Sequence, residues 1–92
     1  MTPLESIRDS IDSERALLLA IQKTVISPFL KRQCQNALNY VDDWEYFLFG
    51  GGLANPERHV DQALLFLQIA TSQREAIDDT VRKYGFDAIT LP

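Results

Sequence analysis

Three prolines, each preceded by a residue that favours helix N-caps, divide the chain: Thr2-Pro3, Ser27-Pro28 and Asn55-Pro56. A side-chain oxygen at the cap accepts one of the orphan N–H groups of the first turn. Proline at the next position lacks an N–H that would have gone unpaired, and its φ is already helical. Glu5, three residues after Thr2, completes a capping box, and Glu57 places an acid in the first turn of the third segment. These signals predict three helices over about 3–26, 28–49 and 56–84.

The apolar spacing between the prolines is helical. Leu4, Ile7, Ile11, Leu18, Ile21 and Val25 form one stripe. Leu30, Cys34, Ala37, Val41, Trp44 and Leu48 form a second, with steps of four and three alternating without a break. Val60, Ala63, Leu64, Leu67, Ala70, Ile77 and Val81 form a third. Gly50-Gly51-Gly52 ends the second helix and Gly85 the third. The tail from Phe86 is expected to be extended, with Phe86, Ile89 and Leu91 folding back onto the bundle. No strand-like alternation, internal repeat or low-complexity run competes. The expected fold is therefore all-α: a single domain over residues 1–92, an antiparallel three-helix bundle completed by dimerisation. Ser27-Pro28 leaves almost no loop, so a sharp corner between the first two helices is the other geometry open.

Two charges fall inside the apolar stripes. Glu14 shares a face with Ile7, Ile11, Leu18 and Ile21, and Arg74 with Val60, Leu67, Ala70, Ile77 and Val81. In an up-down-up bundle the first and third helices run parallel, which brings both residues to one level. The sequence predicts a buried Glu14–Arg74 pair that fixes register, since such pairs seldom add net stability. The competing arrangement has Arg74 reaching outward to Asp78, four residues on.

The third helix carries more apolar surface than one bundle uses. Leu65, Ile69, Ser72 and Ala76 form a second seam opposite the first, with Phe66 between the two. Five of the nine aromatic residues crowd into 40–49, where Tyr46 points away from the seam, Tyr40 and Phe47 flank it on one side and Phe49 on the other. Aromatic rings beside charges such as Asp43 are common at interface centres. The expectation is a self-interface through Leu65, Ile69 and Ala76, and a partner surface of Tyr40, Asp43, Tyr46, Phe47 and Phe49. Helix two also carries its charges against its dipole, with Lys31 and Arg32 first and Asp42, Asp43 and Glu45 last. An antiparallel copy of that helix, or a basic partner, would offset the cost.

Other chemistry finds little footing. A net charge of −4 argues against nucleic acid or an anionic membrane as partner. One Cys and one His exclude a disulfide framework and a Cys/His metal site, so neither metal nor cofactor is expected. The longest apolar run, Ala16 to Ile21, is far short of a membrane span. The start of the chain does not read as a secretory signal, and a lone Cys34 suits a reducing compartment, so the expected location is the cytoplasm.

Leu4-x-x-Ile7-Arg8-x-x-Ile11-Asp12, followed by Leu17-Leu18, resembles the first-helix pattern of all-helical chorismate mutases, dimers of three-helix chains about this long. The likeness covers about 20 of the 92 residues, with Arg8 at the position of an arginine that the family uses on a substrate carboxylate. This sequence departs where Pro28 stops a helix that in the family continues, and the family's next basic residues have no counterpart. No catalytic residue is carried over. The expected function is thus a non-catalytic helical protein–protein interaction module, a homodimeric adaptor, inhibitor or immunity-type antagonist. The alternative is a ligand binder or enzyme with a pocket at a helix or dimer seam.

Overall fold

The computed structural model describes residues 2–87 and places three long helices against one another: α1 (Pro3–Thr24), α2 (Pro28–Phe49) and α3 (Val60–Tyr84). The cap signals act locally as their chemistry requires at two of the three starts. The Thr2 hydroxyl accepts the Glu5 N–H, and the Glu5 carboxylate accepts the Thr2 N–H. The buried Ser27 hydroxyl accepts the Leu30 N–H at 3.3 Å. Asn55 makes no side-chain cap bond; its carbonyl accepts from Arg58 instead, and Pro56–His59 wind as a tighter 3-10 turn. The third α-helix therefore begins at Val60 rather than 56. The first ends at Thr24 rather than 26, because Val25 turns extended at ψ 148° and Ser27, preceding a proline, is held out of the helical region.

The order of contacts gives the topology. Up α1, Arg8 meets Phe49, Arg15 meets Asp42 and Gln22 meets Gln35, so α2 runs down beside it. Glu14 meets Thr71 and Arg74, while the Ile26 N–H donates to the Phe86 carbonyl at 3.1 Å, so α3 runs up with α1. Trp44 lies on Phe66 and Phe47 reaches His59, so α2 and α3 oppose one another. The Val25–Ser27 link is thus a tight reversal, not a corner.

The core takes Ile7, Ile11, Leu18 and Ile21 from α1, with Val25 from the link; Leu30, Cys34, Ala37, Leu38, Val41 and Leu48 from α2; and Ala63, Phe66, Ala70, Ile77 and Val81 from α3. Leu64, expected in the third stripe, and Phe66, expected between it and the second seam, change places. Phe66 is buried, stacked against Trp44 at 5.1 Å and tilted against Tyr40 at 5.4 Å, while Leu64 is exposed. Flanked by Ala63 and Ala70, the Phe66 ring fills the space that two small side chains leave. Gly51 and Gly85 both adopt φ +87°, which a side chain would strain. Phe86 is exposed, and the expectations for Ile89 and Leu91 lie outside the described residues. No helix among the described residues is long and apolar enough to cross a membrane.

Candidate functional site

Parallel α1 and α3 bring Glu14 and Arg74 together. Arg74 Nε donates to Glu14 Oε2 at 2.6 Å, Thr71 Oγ1 donates to Glu14 Oε1 at 3.1 Å, and Arg74 Nη1 reaches Asp78 at 3.2 Å. The two arrangements weighed from the sequence therefore coexist. The hydrogen bond to Glu14 raises the Arg74 pKa; burial opposes the rise, and the charges of Glu14, Asp78 and Glu75 add to it. An open groove of about 890 Å³ lies between the two helices on the N-terminal side of the pair, where α1 presents Ser6, Asp9, Ser10 and Ser13 against Leu64, Leu67 and Thr71. Glu14 lines it but Arg74 does not, and both Glu14 oxygens are already engaged. The groove thus offers an acidic ligand no cation.

The reversed charges of α2 find their counterion inside the chain. Arg15 of α1 reaches Glu45 at 2.9 Å, Asp42 at 3.0 Å and Asp12 at 3.1 Å. Burial alone would lower its pKa; the hydrogen bonds and charges of Glu45 and Asp42 outweigh that and raise it. Neither a copy of α2 nor a basic partner is needed for Asp42 and Glu45. Asp43 differs: it is exposed and has no ion-pair partner among the described residues.

The five aromatic residues in 40–49 of α2 separate into two groups. Tyr46, 77% exposed, and the half-buried Phe49 face α1, where the Arg8 guanidinium lies 5.0 Å above the Phe49 ring and Asp42 and Glu45 complete the lining. Phe47 faces α3, its ring edge-on to Trp44 at 5.3 Å and to His59 at 5.9 Å. Tyr40 is half-buried against Phe66. Asp43, Trp44 and Phe47 together line a shallow cleft of about 260 Å³. The structure thus brings Asp43 and Phe47 together and sets Tyr46 and Phe49 apart from them. It also adds Trp44, which its seam spacing had assigned wholly to the core.

On α3, Leu65 and Ala76 share one shallow groove of about 490 Å³ with Ile69, Gln68, Ser72 and Gln73. Leu65 is 59% and Ile69 42% exposed, and from Gln62 to Gln73 α3 carries no charged residue. Elsewhere, Cys34 is buried, and desolvation, with the charge of Asp78, pushes its thiol above its ordinary pKa, so it is no ready nucleophile. His59 Nδ1 lies 3.0 Å from Gln62 Oε1. Compared with family models, curated proteins and solved structures, the chain matches none. Arg8, singled out by the resemblance of the first helix, lies over the Phe49 ring and shares a shallow pocket with Asp42 and Glu45, both of which are paired with Arg15.

Proposed function

We propose that this protein is a non-catalytic helical interaction module. It pairs with a second copy through the outer face of α3 and docks a second protein at the acidic, aromatic end of α2, acting as a small adaptor, inhibitor or antagonist in the cytoplasm. The observation that carries the reading is the stretch of α3 from Gln62 to Gln73, which holds no charge and where Leu65 and Ile69 stand exposed, on a helix that turns Ala63, Phe66, Ala70, Ile77 and Val81 into the core. Fully burying a large aliphatic side chain contributes roughly 1.5–3 kcal/mol, so covering the part-exposed Leu65 and Ile69 adds about half of that each toward the cost of association.

The partner end follows from chemistry. Asp43 is exposed at the rim of the apolar cleft of Trp44 and Phe47, and a carboxylate beside an apolar aromatic wall suits a lysine or arginine side chain, with its apolar stem and charged head. The partner is therefore a protein with a basic docking residue. Sedimentation at micromolar concentration tests the self-association: a dimer is expected for the wild type and a folded monomer for Leu65→Asp/Ile69→Asp, and a wild-type monomer throughout would refute it. Trp44, the sole tryptophan, reports the partner end. A lysine-rich peptide should shift its emission in the wild type and not in Asp43→Asn, and equal responses would refute the docking role.

A further inference from the structure

We infer that two copies pair antiparallel along α3, in a register that sets Asp61 of each against Arg82 of the other. The inference rests on the self-association proposed above and gives it an orientation. Along the outer face, exposed positions recur at alternating steps of three and four, Gln62, Leu65, Ile69, Ser72, Ala76, Asp79 and Lys83, the spacing of a coiled-coil seam whose two ends are polar. One flank of that seam is a strict seven-residue series: Asp61, Gln68, Glu75, Arg82. In an antiparallel pair like flanks meet. Asp61 then faces the copy's Arg82 and Gln68 its Glu75, and each contact occurs twice.

Size agrees with charge. The large seam residues, Leu65 and Ile69, lie in the first half of α3 and the small ones, Ser72 and Ala76, in the second, so the same register sets large against small. A parallel pair would oppose Leu65 to itself, and Asp79 and Lys83 each to its own like charge. Neither Asp61 nor Arg82 has an ion-pair partner among the described residues, and both are exposed.

Cysteine cross-linking tests the orientation. Ser72 lies next to the two-fold axis of this register, so Ser72→Cys should form a disulfide-linked dimer on mild oxidation. Two copies of Leu65 are about 20 Å apart along the axis at 1.5 Å per residue, so Leu65→Cys should not. Asp61→Arg and Arg82→Asp should each weaken the dimer about tenfold, and the two together should restore it to within about twofold. A sedimenting dimer in which Leu65→Cys cross-links, or in which the charge swaps fail to compensate, overturns the register while leaving self-association standing. A monomer at every concentration overturns self-association itself.

Discussion

Arg74 and Glu14 are unequal partners, and that inequality can be measured. Arg74 holds two carboxylates, Glu14 and Asp78, whereas Glu14 has one cation and the Thr71 hydroxyl. Arg74→Met therefore strands a carboxylate whose side chain is 11% exposed, with a single hydroxyl as donor. Removing one member of a buried pair costs about 3–5 kcal/mol, and partial solvent access here puts the cost near the lower end, about 3 kcal/mol. Glu14→Leu leaves Arg74 with Asp78 and adds an apolar side chain between Ile11 and Leu18, so it costs about 1 kcal/mol. The double variant removes both charges and should fall within about 1 kcal/mol of the wild type. For a domain of this size each kcal/mol moves Tm by roughly 4–8 °C, so Arg74→Met should melt at least about 12 °C lower. Thermal and urea denaturation followed by circular dichroism, at one protein concentration, read all three. If Glu14→Leu costs as much as Arg74→Met, or the double variant loses the sum of the two, the account of the pair as a register device is wrong.

Phe66→Ala should cost about 3–5 kcal/mol and alter Trp44 emission, since it empties the space between Tyr40 and Trp44; urea unfolding followed by Trp44 fluorescence measures both. Gly85→Ala should destabilise by about 1–2 kcal/mol in urea unfolding, because φ +87° with ψ 160° is a conformation open essentially to glycine. Cys34 gives a slope in alkaline solution. Its thiol sits above the ordinary value of 9.0 when folded, so the folded chain keeps a proton that the unfolded chain releases. Stability is full below about pH 9 and falls as pH rises from there toward the folded value, and the urea midpoint of Cys34→Ala should lack that decline.

Much of this fold is written in the three proline signals and the alternating seam of α2, because capping and helical period are local properties. Leu30 to Leu48 kept both register and burial, apart from Trp44 at the surface cleft. The run Ala63–Leu67 was not decidable in the same way. Five consecutive apolar residues cover most of a helix's circumference, and only the cross-helix fit of Phe66 with Tyr40 and Trp44 selects which of them turns inward. A large residue three to four positions from alanines on both sides was the available signal. The Arg15 network was hidden for a related reason: nothing local marks an arginine of α1 as the counterion for acids 27 and 30 positions later. Asn55 failed as a cap although its type is right, because its backbone turned to a 3-10 bond first.

The polarity of the whole bundle follows from the same topology. Since α1 and α3 run together and α2 runs against them, one end gathers Glu5, Asp9, Asp42, Asp43, Glu57 and Asp61 against Arg8 and Arg58, and the other gathers Lys23, Lys31, Arg32, Arg82 and Lys83 against Asp78, Asp79 and Asp87. For α1 and α3 this arrangement agrees with the helix dipole; for α2 it opposes it. Had α2 carried its charges the usual way round, each end would have been closer to neutral. The chain instead tolerates a small internal cost, eased by Arg15, and gains a molecule with unlike ends. Two such molecules set side by side in the same direction repel at both ends, and set in opposite directions they attract at both. The polarity of α2 thus favours the same antiparallel pairing as the seven-residue series on α3, although the two features lie on different helices. It leaves the acidic end of each copy, with Asp43 and the Trp44–Phe47 cleft, at opposite extremes of the pair.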